Sequence, residues 1–284
     1  MNQRFIHPAT DKAAAFHALH RDYHVMPTIW DSLSALAAQA AGFKAVATSS
    51  AAFGQALGIR ASERVPFDVV EARLTAITAT TPLPVSIDME DGYPEVDGGI
   101  DASIRRIIAA GVIAANIEDS WHGHARPLAS ADDHARRIAQ ARKAADAELP
   151  RFFINGRTDL FLQNDGVEPE VSVAEAVRRA KLYIDAGADG IYVTAKDLTD
   201  DVVAELASSI PAPLTVVLPD GRDFSRWGAL GVKRGSLGTA VIRNAFHAIT
   251  TQLSAIRDTG AIPALPRLDL DAEILRGRQG GDRK

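Results

Sequence analysis

The feature that most constrains this 284-residue chain is a unit that recurs at irregular intervals, in which a stretch of good helix formers ends in a small pair and a short apolar run follows. Ala41-Gly42, Ala110-Gly111, Ala186-Gly187 and Leu230-Gly231 are such endings. Glycine there reaches the left-handed conformation that closes a helix and turns the chain back towards a strand. Eight apolar runs can be read, at 25–30, 44–48, 84–89, 114–117, 152–155, 190–194, 214–218 and 233–237. Strands of this kind, apolar along their length, are covered on both faces and belong to parallel sheets. Eight of them joined by crossover helices predict an α/β fold of the (β/α)8 TIM-barrel type, which at roughly 250 residues commonly forms one domain.

Helical connectors are expected at 32–41, 67–79, 101–110, 132–147 and 173–186. Asp31 or Ser32 opens the first, and Ser172 with Glu175 reads as a capping box. Residues 1–262 form the barrel with its N- and C-terminal helices, and 263–284, marked off by Pro263 and Pro266, form an extension with a polar tail.

A net charge of −5 gives no footprint for nucleic acid or an anionic membrane and favours a small-molecule partner. No apolar stretch reaches the roughly 18 residues that span a bilayer, and none at the start resembles a signal peptide, so the expected address is cytoplasmic. Cysteine is absent, which excludes disulfides, thiolate metal sites and a cysteine nucleophile. His17, His20 and His24 share a helix face beside Phe16, Leu19 and Tyr23, and are expected to flank a packed surface rather than bind zinc.

In such a barrel the reactive groups lie where strands end. The third run closes as IDMEDGY, with Asp88 and Glu90 at the same parity of an extended chain; the fourth closes as NIEDS, with Asn116 and Glu118 at the same parity. Strands about 4.8 Å apart let Asp88, Glu90 and Glu118 converge, and three carboxylates together call for a cation. An all-oxygen set suits Mg²⁺, or Mn²⁺. Asp91 and Asp119 point the other way and are read as structural. The fifth run ends as NGRTD, placing Arg157 at the same mouth, either to grip a carboxylate or phosphonate or to pair with Asp159 or Glu118. The second ends in Thr48-Ser49-Ser50, a turn able to offer N–H and hydroxyl donors to an anionic oxygen.

Taken in order, PTIWDSLSA, AGFKAVATSSAAFGQALG, LPVSIDMEDGY, AANIEDS, FINGRTD, AGADGIYV and LGVKRGSLG resemble the strand-end segments of the isocitrate lyase/phosphoenolpyruvate mutase superfamily. The resemblance implies a helix-swapped barrel, with the C-terminal helix exchanged in a homodimer or homotetramer. It also implies Mg²⁺ held directly or through water by Asp88, Glu90 and Glu118. A small 2-oxo or 2-hydroxy carboxylate would lie against Ser49, Ser50 and Ala51 with Arg157 opposite, and Trp30 and Asn116 complete the substrate-binding set. The chemistry implied is cleavage of a C–C or P–C bond through an enolate.

Two departures narrow this. Superfamily lyases that cleave isocitrate or methylisocitrate carry a Lys-x-Cys-Gly-His loop, where this chain reads EDSWHGHARPLAS and keeps only Gly123-His124. Many members also have an aspartate after the second-loop Leu-Gly, where this chain has Leu57-Gly58-Ile59-Arg60-Ala61. The expectation is therefore a Mg²⁺-dependent carbon–carbon lyase of the short-loop branch, resembling oxaloacetate decarboxylase, with Arg157, Glu118, His122 and His124 as catalytic residues. The alternatives are a P–C bond enzyme (phosphonopyruvate hydrolase or phosphonomutase) and a noncatalytic carboxylate-binding barrel.

Overall fold

The computed structural model describes residues 9–60, 63–122, 127–163, 169–195, 197–218, 221, 223, 225–262 and 269–279. Its strands are β1 (His24–Met26), β2 (Thr28–Ile29), β3 (Val46–Thr48), β4 (Val85–Asp88), β5 (Ala114–Glu118), β6 (Phe153–Thr158), β7 (Gly190–Val193), β8 (Leu214–Val217) and β9 (Arg234–Ser236). All pair in parallel, in the order β1-β9-β8-β7-β6-β5-β4-β3-β2. The two ends of this sheet are halves of one run, separated by Pro27. Proline has no N–H to give to a ladder, so the run splits there. His24–Met26 pairs with β9 and Thr28–Ile29 with β3, and the sheet becomes a nearly closed TIM barrel.

Helices α1 (Ala9–Leu19), α2 (Ser32–Ala40), α3 (Ser50–Ala56), α4 (Phe67–Thr80), α5 (Gly99–Ala109), α6 (Ala131–Glu148), α7 (Leu160–Gln163), α8 (Pro169–Asp185), α9 (Asp200–Ser209), α10 (Ser225–Ala229), α11 (Ala240–Thr259) and α12 (Leu270–Gln279) precede, connect and follow the strands. Gly42, Gly111, Gly187 and Gly231 all have positive φ, between 88° and 105°, at the helix ends where the sequence required it. Asp31 caps α2, accepting from the Ser34 N–H at 2.7 Å while the Ser34 hydroxyl accepts from the Asp31 N–H at 3.0 Å. The expected Ser172 cap is corrected: α8 begins at Pro169, whose fixed φ suits a first turn, and Ser172 lies inside the helix. Glu175 instead pairs with Arg178 and Arg179.

The strand parity divides the core in two. Ile87, Ile154, Ile191 and Val216 are buried on the outer face of the barrel, and Leu74, Ile104, Ile138 and Leu206 of the surrounding helices are buried with them. The alternate positions face inward and are largely polar: Glu118, Arg157, Tyr192, Thr215, Arg234 and His24 follow one another around the barrel in register. Beside that row, Asn155 donates to Asn116 and Thr215, each at 3.1 Å.

At the N-terminal end of the barrel, His20 stacks on Phe153 with ring centroids 4.4 Å apart and meets His24 at 4.9 Å. These histidines belong to a packed aromatic face. Helix α12 touches α2 and α4 of its own chain, whereas α11 has no buried residue and exposes Phe246, Ile249 and Leu253. No helix among the described residues is long and apolar enough to cross a membrane.

Burial pushes His20 down to about 2 and holds His134 well below its ordinary value, so the folded chain keeps both neutral where the unfolded chain takes up protons. The sign follows: stability is full above the unfolded value of 6.5 and falls with pH below it, by about 1.4 kcal/mol per pH unit for each imidazole. Urea unfolding between pH ~6.5 and ~5, before carboxylates titrate, should show this slope, and a flat profile would refute it. His20→Gln should remove its own share of about 1.4 kcal/mol per pH unit.

Candidate active site

The C-terminal ends of β3, β4, β5 and β6 bring the acidic groups together, and one guanidinium organises them. Arg157, on β6, is buried and contacts three carboxylates from three strand ends. Its Nη1 donates to Asp88 Oδ1 at 3.2 Å and lies 2.9 Å from Glu118 Oε2, while its Nε donates to Asp159 Oδ1 at 2.7 Å. Burial alone disfavours this charge, but Asp159, Glu118 and Asp88 more than offset it and hold the Arg157 pKa well above its ordinary value. The Ser120 hydroxyl links Glu118 and Asp159, at 2.9 and 2.7 Å.

Asp88 is fixed from the other side by the turn after β3. The Ser50 N–H and hydroxyl both donate to Asp88 Oδ2, at 3.1 and 2.8 Å, and Thr48 Oγ1 accepts from the Asp88 N–H at 3.1 Å. Ser49 caps the short helix α3. Two of the donors expected to cradle a substrate carboxylate thus also serve Asp88. Ala51 is half-buried in the same turn, and Trp30 lies just beyond β2, its carbonyl accepting from Arg73 at 3.0 Å. Asn116 sits deeper, inside the barrel.

Glu90 departs from the strand alternation that paired it with Asp88. Strand β4 ends at Asp88, and Glu90 has φ of 50°, in the left-handed region, which turns its side chain towards a second cluster. There Arg64 Nε donates to Glu90 Oε2 at 3.2 Å, Tyr93 OH donates to Oε1 at 3.2 Å, and His122 Nδ1 lies 2.6 Å from Oε2. Arg64 also binds Asp91 and Glu95 and lies over the Tyr93 ring, 4.4 Å from its centroid. Burial opposes its charge as well, yet Asp91 and Glu90 raise its pKa above the usual value. The second Asp91 oxygen accepts from the His122 N–H at 3.1 Å. Asp119 is fully buried among Arg179, Tyr183 and the Asp159 N–H, as a structural role requires. His124 lies outside the described residues.

The reading of the strand ends missed two cations. Arg64 lies in a connector without periodicity, which leaves nothing to read. Arg234 left a trace, as a charged residue at inward parity within an otherwise small and apolar strand. It is enclosed in the barrel, where burial pushes its pKa down to about 10 despite the opposing influence of Tyr192 and Asp88.

For a divalent cation the donor set fits in part. Among the described residues no three acidic or imidazole groups are placed so that they could hold a metal ion. Asp88 and Glu118, however, already address a single cationic atom, Arg157 Nη1, and oxygen-only donors from adjacent strands suit a hard ion that keeps its remaining waters. Arg157 is the cation that these carboxylates share. Arg157→Ala should therefore cost about 3–5 kcal/mol of stability in chelator, part of it regained in Mg²⁺; unchanged urea unfolding would show that the guanidinium does not hold the mouth together.

Residues 16–257 match the family model for phosphoenolpyruvate phosphomutase. A 2-methylisocitrate lyase of Aeropyrum pernix is 30% identical over 200 residues, which cover 68% of this chain and 61% of that enzyme. A solved structure of a candidate phosphonomutase from Burkholderia cenocepacia superposes with a TM-score of 0.80 at 32% identity, covering 89% of this chain and all of that one. A phosphonopyruvate hydrolase crystallised with oxalate and Mg²⁺ shares the fold, with a TM-score of 0.80 at 22% identity over 93% of this chain and 94% of its own. With a barrel of this form and the family model matching most of its length, the chain belongs to the phosphoenolpyruvate mutase/isocitrate lyase superfamily.

Proposed function

We propose that this chain is a Mg²⁺-dependent lyase that cleaves a C–C bond of a small 2-oxo or 2-hydroxy carboxylate through an enolate, with chemistry like that of an oxaloacetate decarboxylase. The observation that carries the reading is the convergence of Asp88 and Glu118 on one cationic atom at the barrel mouth. Asp88 and Glu118 would hold the ion, which when bound supplies a Lewis acid that stabilises negative charge developing on the 2-oxo group.

The remaining work falls to the chain itself. Arg157, fixed by Asp159, offers a planar guanidinium to the substrate carboxylate and limits how it can turn. Ser49, Ser50 and Ala51 would line the opposite side, with Trp30 and Asn116 completing the substrate-binding set. When the bond breaks, its electron pair stays with the substrate fragment next to the carbonyl, and a proton must reach that carbon. His122, whose Nδ1 lies 2.6 Å from Glu90 Oε2, would deliver it. His124 is proposed from the sequence as its alternate.

A second reading, P–C bond chemistry, is favoured by the similarity to the Burkholderia cenocepacia candidate phosphonomutase. Turnover of oxaloacetate and related 2-oxo and 2-hydroxy dicarboxylates in Mg²⁺ and in chelator tests the first reading. Metal-dependent C–C cleavage, reduced on the order of 10²-fold or more by Asp88→Asn, is the expected result. Phosphate release from phosphonopyruvate would replace it with the second, and ligand binding without turnover would leave a noncatalytic barrel.

The exchanged C-terminal helix is also proposed. Phe246, Ile249 and Leu253 of α11 are exposed at helical spacing, and a neighbouring subunit would cover them. Light scattering at micromolar concentration should show a dimer or tetramer; a monomer would refute the exchange.

A further inference from the structure

Arg157, Arg64 and Arg179 each meet carboxylates at ion-pair distance. Arg234 does not. It is 1% exposed and has no ion pair among the described residues. Its Nη1 donates to Asn116 Oδ1 only at 3.5 Å, an oxygen that already accepts from Asn155, and its buried Nε has no hydrogen-bond partner. The strand order places this group. With β1 and β2 counted as one wall position, β9 and β5 are four steps apart in either direction, so Arg234 and Asn116 stand on opposite walls and the guanidinium crosses the lumen. Asn116 is the register partner of Asp88, which puts the guanidinium at the floor of the mouth. Tyr192 and Asp88 favour its charge, and His24, its register partner, and His20 face it as neutral rings. Burial outweighs the favourable influences, so the fold keeps this cation at a cost.

We propose that Arg234 is a specificity-determining residue that makes the floor of the mouth cationic and so selects a doubly charged ligand, a dicarboxylate or a carboxylate with a second anionic group, over a singly charged one. The inference rests on the carboxylate site proposed above and names the charge of its ligand. Around Arg157 the carboxylates of Asp88, Glu118 and Asp159 outnumber the cation, and their field opposes a second negative charge on a ligand. Arg234 offsets that field because its own charge is not spent on an ion pair. In an enclosed lumen a fixed charge acts over several ångströms without contact. Stability alone would favour an uncharged side chain at this position, since a buried charge without a partner is unfavourable.

The experiment compares oxalate with oxamate, in which an amide replaces one carboxylate at nearly the same size, by titration calorimetry on the full chain in saturating Mg²⁺. Arg234→Met should weaken oxalate binding by about tenfold or more and oxamate binding by no more than about threefold. Its urea midpoint should be no lower than that of the wild type, because the buried charge is gone. Arg234→Lys gives a readout that a structural role would not move. Burial pushes the Arg234 pKa down to about 10, and the same burial would bring a lysine from about 10.4 to about 8. Oxalate affinity of Arg234→Lys should therefore be near the wild-type value at pH ~7 and fall through pH ~8 towards that of Arg234→Met, whereas the wild type stays level to pH ~9. His20 and His24 lie below their ordinary values and Tyr192 and Arg157 above theirs, so these neighbours do not titrate in that window. Equal losses of oxalate and oxamate in Arg234→Met, loss of its cooperative unfolding, or a level pH profile in a cooperatively folded Arg234→Lys overturns the proposal. If the wild type binds neither ligand, the carboxylate site itself fails and the proposal with it.

Discussion

The site depends on one buried cation. Arg157 stands where β4, β5 and β6 end and meets a carboxylate from each strand or the residue just after it, so those chain ends are held by charge as much as by the strand ladder. Buried carboxylates repel, and removal of a guanidinium that touches three of them would leave uncompensated charge in a closed space. The barrel supports the cation in turn. Inward parity brings Arg157 to the mouth, and Ser120 and the turn carrying Ser50 fix the carboxylates on either side.

The same constraint explains how the mouth can serve anionic chemistry. A guanidinium already committed to Asp159 is rigid, and a rigid fork limits the orientations a bound carboxylate can take. Around it the acidic residues divide into groups with separate partners. Arg157 takes Asp88 and Glu118, Arg64 takes Glu90 and Asp91, and Arg179 with Tyr183 takes Asp119. A charge count over the mouth would miss this division, because it depends on which loop supplies each cation.

The barrel and the Arg157 cluster were legible in the sequence for the same reason: both follow from period. Alternation along a strand places Asp88, Asn116, Glu118 and Arg157 at inward positions, and the small-residue helix endings mark where each strand begins. Legibility stopped where period stops. Glu90 is two residues beyond Asp88, but the strand has ended and a left-handed residue redirects the chain. Arg64 lies in an aperiodic connector and meets Glu90 only through the tertiary fold. Pro27, visible from the start, divides the first strand because it cannot donate to a ladder, a consequence that shows only when both neighbours are in place.

The most direct test of the account is anomalous diffraction from crystals of the chain grown with Mn²⁺ and oxalate. The account predicts one Mn²⁺ peak ligated by Asp88 and Glu118, with an oxalate carboxylate against Arg157. No peak at the mouth, or a peak ligated by Glu90 and Asp91 instead, would contradict it.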